Sequence, residues 1–97
     1  MMAPMVDEKK KAELTQHLST LRAELDKLVG PDADRAKTIA GFAELSAHEA
    51  TLEKPHAELL KLSVTGLQKS VQEFEKTHPG LAEVVGALSA LLSNVGL

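Results

Sequence analysis

LAEVVGALSALLSNVGL, residues 81–97, carries a single charge, Glu83, and no lysine, arginine or aromatic residue. Its large apolar residues, Leu81, Val84, Val85, Leu88, Leu91, Leu92 and Val95, recur every three to four positions, the period of one helix face. The other side is Ala82, Gly86, Ala90, Ser93 and Asn94, small and uncharged. Seven such side chains, each contributing ~1.5–3 kcal/mol if fully buried, amount to roughly 10–20 kcal/mol gross. A stripe of that strength is more than a soluble monomer tolerates exposed. It must be covered, either by the chain's own helices or by a second subunit. The small-residue ladder Ala82, Gly86, Ala90 permits close backbone approach and favours contacts on both sides.

Working toward the N-terminus, Thr77-His78-Pro79-Gly80 separates this helix from the one before. Pro79 stops one helix and opens the next, and His78 is placed to satisfy the last carbonyls. The preceding helix carries Leu60, Val64, Leu67, Val71 and Phe74 at heptad spacing. Residues 51–56 form a break: Pro55 has no N–H, disfavours helix at Lys54, and suits the first turn of a new helix. We expect a true turn here rather than a kink. Upstream, Ala33, Ala36, Ala40, Ala43, Ala47 and Ala50 make a heptad seam of alanine, with Phe42, Leu45 and Leu52 roughly opposite and Ile39 on the flank. Two apolar faces predict a helix sandwiched between neighbours, the alanines allowing axes to approach near the short end of the usual ~8–10 Å. Before it, Leu14, Leu18, Leu21, Leu25 and Leu28 form another seam, which Gly30-Pro31 should terminate. A helix restarts at Asp32 or Asp34.

The expected architecture is all-α: one domain over residues 1–97, a small bundle of about four helices near 7–29, 33–51, 55–77 and 79–95, with coiled-coil-like heptad seams. Residues 1–6 should fray, and Asp7 is the candidate N-cap. The first and third helices, each with one seam, should pair as antiparallel neighbours. Homo-oligomerisation should complete the core, since 97 residues bury only about two thirds of their unfolded surface and there is no cysteine to staple them.

Composition narrows the function classes. A net charge of −3 and two aromatics, Phe42 and Phe74, argue against nucleic-acid binding. Lys9, Lys10 and Lys11 are offset by Asp7, Glu8 and Glu13, so they read as solvated surface. No secretory signal is visible, and the C-terminal run is short of a membrane span and broken by Glu83, Gly86 and Asn94. Absence of cysteine fits a reducing compartment and excludes thiolate chemistry. A soluble, cytoplasmic protein is expected.

Catalytic signals are weak. Glu44/His48 and Glu49/Glu53 have the i, i+4 spacing that can put two ligands before one metal, with His56 beyond, but three or four converging ligands are needed and no H-E-x-x-H is present. Solvated helix surface is the better reading, and no metal, cofactor or catalytic residue is expected. His17 reads as a boundary residue. Gly66-Leu67-Gln68-Lys69-Ser70 echoes a phosphate loop but lacks its first glycine and its Gly-Lys-Ser/Thr junction. The serines have no glycine-elbow context.

Residues 71–81, Val-Gln-Glu-Phe-Glu-Lys-Thr-His-Pro-Gly-Leu, followed by Leu88, Leu91 and the ending Ser93-Asn94-Val95-Gly96-Leu97, resemble a family of short bacterial proteins described as domain of unknown function forty-four-zero-four. Its members show a Phe-Glu-x-x-His-Pro segment and an Asn-hydrophobic-Gly-hydrophobic end. The resemblance spans residues 59–97 and does not extend to residues 38–54. It implies a helical, cytoplasmic bacterial protein with no assigned activity, in which His78-Pro79 and the Asn94–Leu97 end serve architecture.

The leading expectation is therefore a non-catalytic, self-associating module, possessing Leu81, Val84, Val85, Leu88, Leu91, Leu92 and Val95 as apolar anchor and Ala36, Ala40, Ala43 and Ala47 as close-packing surface, with a further protein partner unidentified. One alternative is an amphipathic binder coating a membrane or hydrophobic granule, although the last helix lacks the Lys/Arg-rich polar face such binders use. Another is a small metal-responsive regulator resting on the Glu/His pairs.

Overall fold

Apolar periodicity and three breaks at glycine and proline resolve into four α-helices, and the chain is an all-α four-helix bundle. The computed structural model describes residues 8–96, with side chains as far as Asn94. Expectations for residues 1–6, the Asp7 cap, the Val95 side chain and Leu97 lie outside the described residues. The helices are α1 (Glu8–Leu25), α2 (Pro31–Ala50), α3 (Ala57–Val71), extended by a short 3-10 turn (Gln72–Phe74), and α4 (Pro79–Gly96).

Each helix runs antiparallel to the next, because connections of a few residues leave no other arrangement. Arg22 meets Glu44 between α1 and α2, Arg35 meets Glu73 between α2 and the end of α3, and Glu24 lies beside Gly80 where α4 returns along α1. The bundle measures 49 × 23 × 18 Å. Its core draws on every helix: Leu14, Leu21 and Leu25 from α1; Ile39, Ala43, Ala47 and Ala50 from α2; Leu60, Val64, Leu67 and Val71 from α3; Leu81, Val85, Leu88 and Leu92 from α4. Leu28 and Phe74 fill one end of it, where α1 and α3 finish and α2 and α4 begin.

The expected pairing of α1 with α3 is not what forms. α1 packs on α2 and α4, α3 packs on α2 and α4, and α1 and α3 stand across a diagonal without close backbone approach. The opposite diagonal is the short one, α2 meeting α4. Ala43 and Ala47 are buried on α2's inner face, beside Leu14, Leu18 and Leu21 of α1. α2 does lie between neighbours, α1 on one side and α3 on the other, but its second face is only partly covered. Its inner alanines and Ile39 are buried and Phe42 is half-buried, but Leu45 is 51 % exposed.

Helix ends also depart from expectation. α1 stops at Leu25, and the chain tightens through Lys27 N–H to Glu24 O and Leu28 N–H to Leu25 O, an i to i+3 pattern that still delivers Leu28 to the core. Gly30 does not cap α1; it is the N-cap of α2, at φ 62°, ψ −138°, with Pro31 in the first turn. That backbone conformation suits glycine alone, and proline's missing N–H is one of the four a helix start leaves unbonded. Pro55 lies two residues ahead of α3 rather than in its first turn, and His56 is the N-cap. The turn itself, between Ala50 and Ala57, is genuine.

Candidate interaction surface

Leu81, Val85, Leu88 and Leu92 are each no more than 1 % exposed and close this chain's own core. Val84 and Leu91 are partly buried against it. Of the alanines, Ala43 and Ala47 are buried and Ala36 and Ala40 are partly buried. The residues expected to anchor a second subunit are thus gathered into the bundle, and its outer surface must be sought elsewhere.

The polar candidates resolve into joints between helices. Glu44 and His48 are both exposed, and Glu44 turns to Arg22 at 3.4 Å rather than to His48. Glu49 is not solvated surface: it is 6 % exposed, and its Oε1 accepts the His56 backbone N–H at 2.7 Å, with His56 Nδ1 at 3.2 Å. That backbone hydrogen bond holds the Glu49 carboxyl below its ordinary pKa; partial burial opposes the shift, and the His56 side chain reinforces it. A carboxylate from the last turn of α2 therefore ties down the N-cap residue of α3. His78 does not finish α3 by its side chain. Its carbonyl accepts the Leu81 and Ala82 N–H groups at the start of α4, while Nε2 lies 3.6 Å from Asp32 Oδ2 and the ring meets Phe74 edge-on at 5.7 Å. Among the described residues, no three His, Asp or Glu side chains converge as metal ligands would.

Apart from Val29 in the α1–α2 connection, the exposed large apolar side chains among the described residues lie on the seam between α2 and α3. Leu45 is 51 %, Leu59 53 % and Leu62 68 % exposed, and with Phe42, Glu49 and Ser63 they line a shallow pocket of about 170 Å³. Phe42 sits low in the seam because Gly66 makes room for it: a Cβ at Gly66 would fall 2.6 Å from Phe42 Cδ1. Gly66, once suggestive of a phosphate loop, is a packing residue. A larger cleft of about 500 Å³ between α1 and α2, lined by Lys11, Leu14, Thr15, Leu18, Glu44, Ala47, His48 and Thr51, is wide open to solvent.

Leu59 and Leu62 fall outside the heptad series that Leu60 opens, so that series gives them no role. Yet leucines 59, 60 and 62 spread over roughly 160° of the helix, wider than the ~100° of a core-facing stripe, and they cannot all be inside. That spread was the available signal. Leu45 had been assigned to a covered second face, and only the placement of α3 decides that it is not. Among the described residues, no helix is long and apolar enough to cross a membrane.

Comparison with known proteins adds one finding. A family model described as Domain of unknown function (DUF4404) matches residues 3–97, so the likeness extends through residues 38–54, which had looked peculiar to this sequence. No curated protein and no solved structure matches the chain.

Proposed function

This chain belongs to the DUF4404 family, and from that premise we propose that it is a self-associating helical interaction module that carries out no catalysis. The observation that supports the reading is the cluster Leu45, Leu59 and Leu62, exposed on a bundle whose core is already closed by α4. Contiguous apolar surface of this kind, rimmed by charge, marks interaction sites more often than chance exposure does. Absence of catalysis is supported by the commitment of the polar pairs to helix joints: Glu49 with His56, His78 with Asp32, Arg22 with Glu44. A cysteine-free chain suits a reducing compartment, in this proposal the bacterial cytoplasm.

Size exclusion coupled to light scattering tests it on the intact protein. A mass above the 10.4 kDa of one chain, rising with concentration, is expected. A single-chain mass held from micromolar to roughly millimolar loading, the range over which weak protein pairs associate, would reject self-association.

A further inference from the structure

The self-association proposed above is taken here as given; the structure carries it to a place and a symmetry. α3 sets Glu58, Leu62, Thr65 and Lys69 at successive spacings of four, three and four, a single stripe along the helix. It lies opposite the buried line of Leu60, Val64 and Leu67, and all four of its residues are exposed. Among the described residues the Glu58 and Lys69 side chains join no ion pair.

Acid, leucine, threonine, base is an order that complements itself when reversed. Laid antiparallel about a two-fold axis passing between Leu62 and Thr65, Glu58 of one copy comes level with the partner's Lys69, Leu62 with the partner's Thr65, and the same pairs recur on the other side of the axis. The two ion pairs stand about 16 Å apart along each helix, and the apolar contact lies between them. A two-fold perpendicular to both helices also keeps α2 and its counterpart on one flank. Because Phe42 is level with Gly66 and Arg35 with Glu73, Leu45 is level with Ser63, beside the axis. Leu45 and Leu59 then close the flank of the contact from both copies.

We propose that the occupant of this face is a second copy of the chain, packed α3 against α3, antiparallel and two-fold symmetric. Such an isologous contact closes on itself and stops at a dimer.

Sedimentation equilibrium of the full chain tests this with wild type, Leu62→Glu, Glu58→Lys, Lys69→Glu and the double reversal. Leu62→Glu should weaken the dimer about a hundredfold or more, as expected for a central apolar residue. Each single reversal places like charges at both ends and should weaken it about tenfold. The double reversal should restore it. All three substituted positions are exposed, so circular dichroism melts matching wild type establish that the variants are folded. If wild type dimerises but Leu62→Glu does not weaken it, or the double reversal fails to rescue, the interface lies elsewhere and this inference falls while self-association stands. If wild type is monomeric throughout, both fall. Leu62-dependent co-flotation of that monomer with phospholipid vesicles would then assign the face to lipid.

Discussion

Gly66 occupies the interior of α3, where glycine is about 1 kcal/mol less favourable than alanine. It is retained in the fold because the Phe42 ring lies where a methyl group would go. Gly86 in α4 is the contrasting case, exposed and with nothing within 4 Å of an added Cβ. Gly86→Ala should therefore stabilise by ~0.5–1 kcal/mol and raise the melting temperature by about 4–8 °C per kcal/mol. Gly66→Ala should lower it, since overpacking of ~1–3 kcal/mol outweighs the propensity gain. Thermal melts followed by circular dichroism decide between them, and an equal rise for both variants would mean Phe42 does not rest on Gly66. At this scale the sequence is misleading: a glycine between Thr65 and Leu67 suggests a loop or a cofactor motif, and only the ring across the seam explains it.

At the level of elements, the joints hold the bundle's less expected chemistry. The α2–α3 turn is closed by Glu49, whose ionised form is favoured because its carboxylate accepts the His56 N–H. The folded pKa lies below the ordinary 4.5, so the unfolded chain takes up a proton at Glu49 first. Stability from this joint is fully present above that ordinary value and disappears as pH falls through the lowered one. Urea unfolding at about pH 6 and about pH 3.5 should show wild type losing more stability on acidification than Glu49→Gln does. Equal losses would show that the carboxylate does not carry the joint. The breaks at residues 26–30, 51–56 and 75–78 were legible from glycine, proline and the end of each apolar series. The roles were not: Gly30-Pro31 serves the helix after it, and Pro55 stands outside α3. A partner seven residues away leaves no local signature, and Glu49 looked like any other surface glutamate.

Over the whole molecule, α4 is a structural member. Leu88 is fully buried and Val85 is 1 % exposed, so Val85→Glu and Leu88→Glu, which a subunit-anchor reading would use to break assembly, are expected to unfold the chain instead. Leu88→Ala should cost ~2–5 kcal/mol, a large part of the ~5–15 kcal/mol typical of a domain. Denaturant curves check this: Leu88→Ala should shift the midpoint strongly downward while Leu62→Glu leaves it near wild type. A small effect at Leu88 alongside a large one at Leu62 would reverse the roles assigned to the two leucines.

Periodicity in the chain by itself determined that there are four helices, roughly where each begins and ends, and which side of each seeks cover. It did so because the direction of a side chain about its own helix axis follows from position alone. Which neighbour lies in that direction follows from connection length, side-chain volume and the packing of all four helices together. Only the tertiary structure therefore decided that α1 and α3 stand apart, that α2 meets α4 across the bundle, and that Leu81, Val85, Leu88 and Leu92 are enclosed. The same packing leaves Leu45, Leu59 and Leu62 outside, because with the core filled there is no interior volume left to receive them.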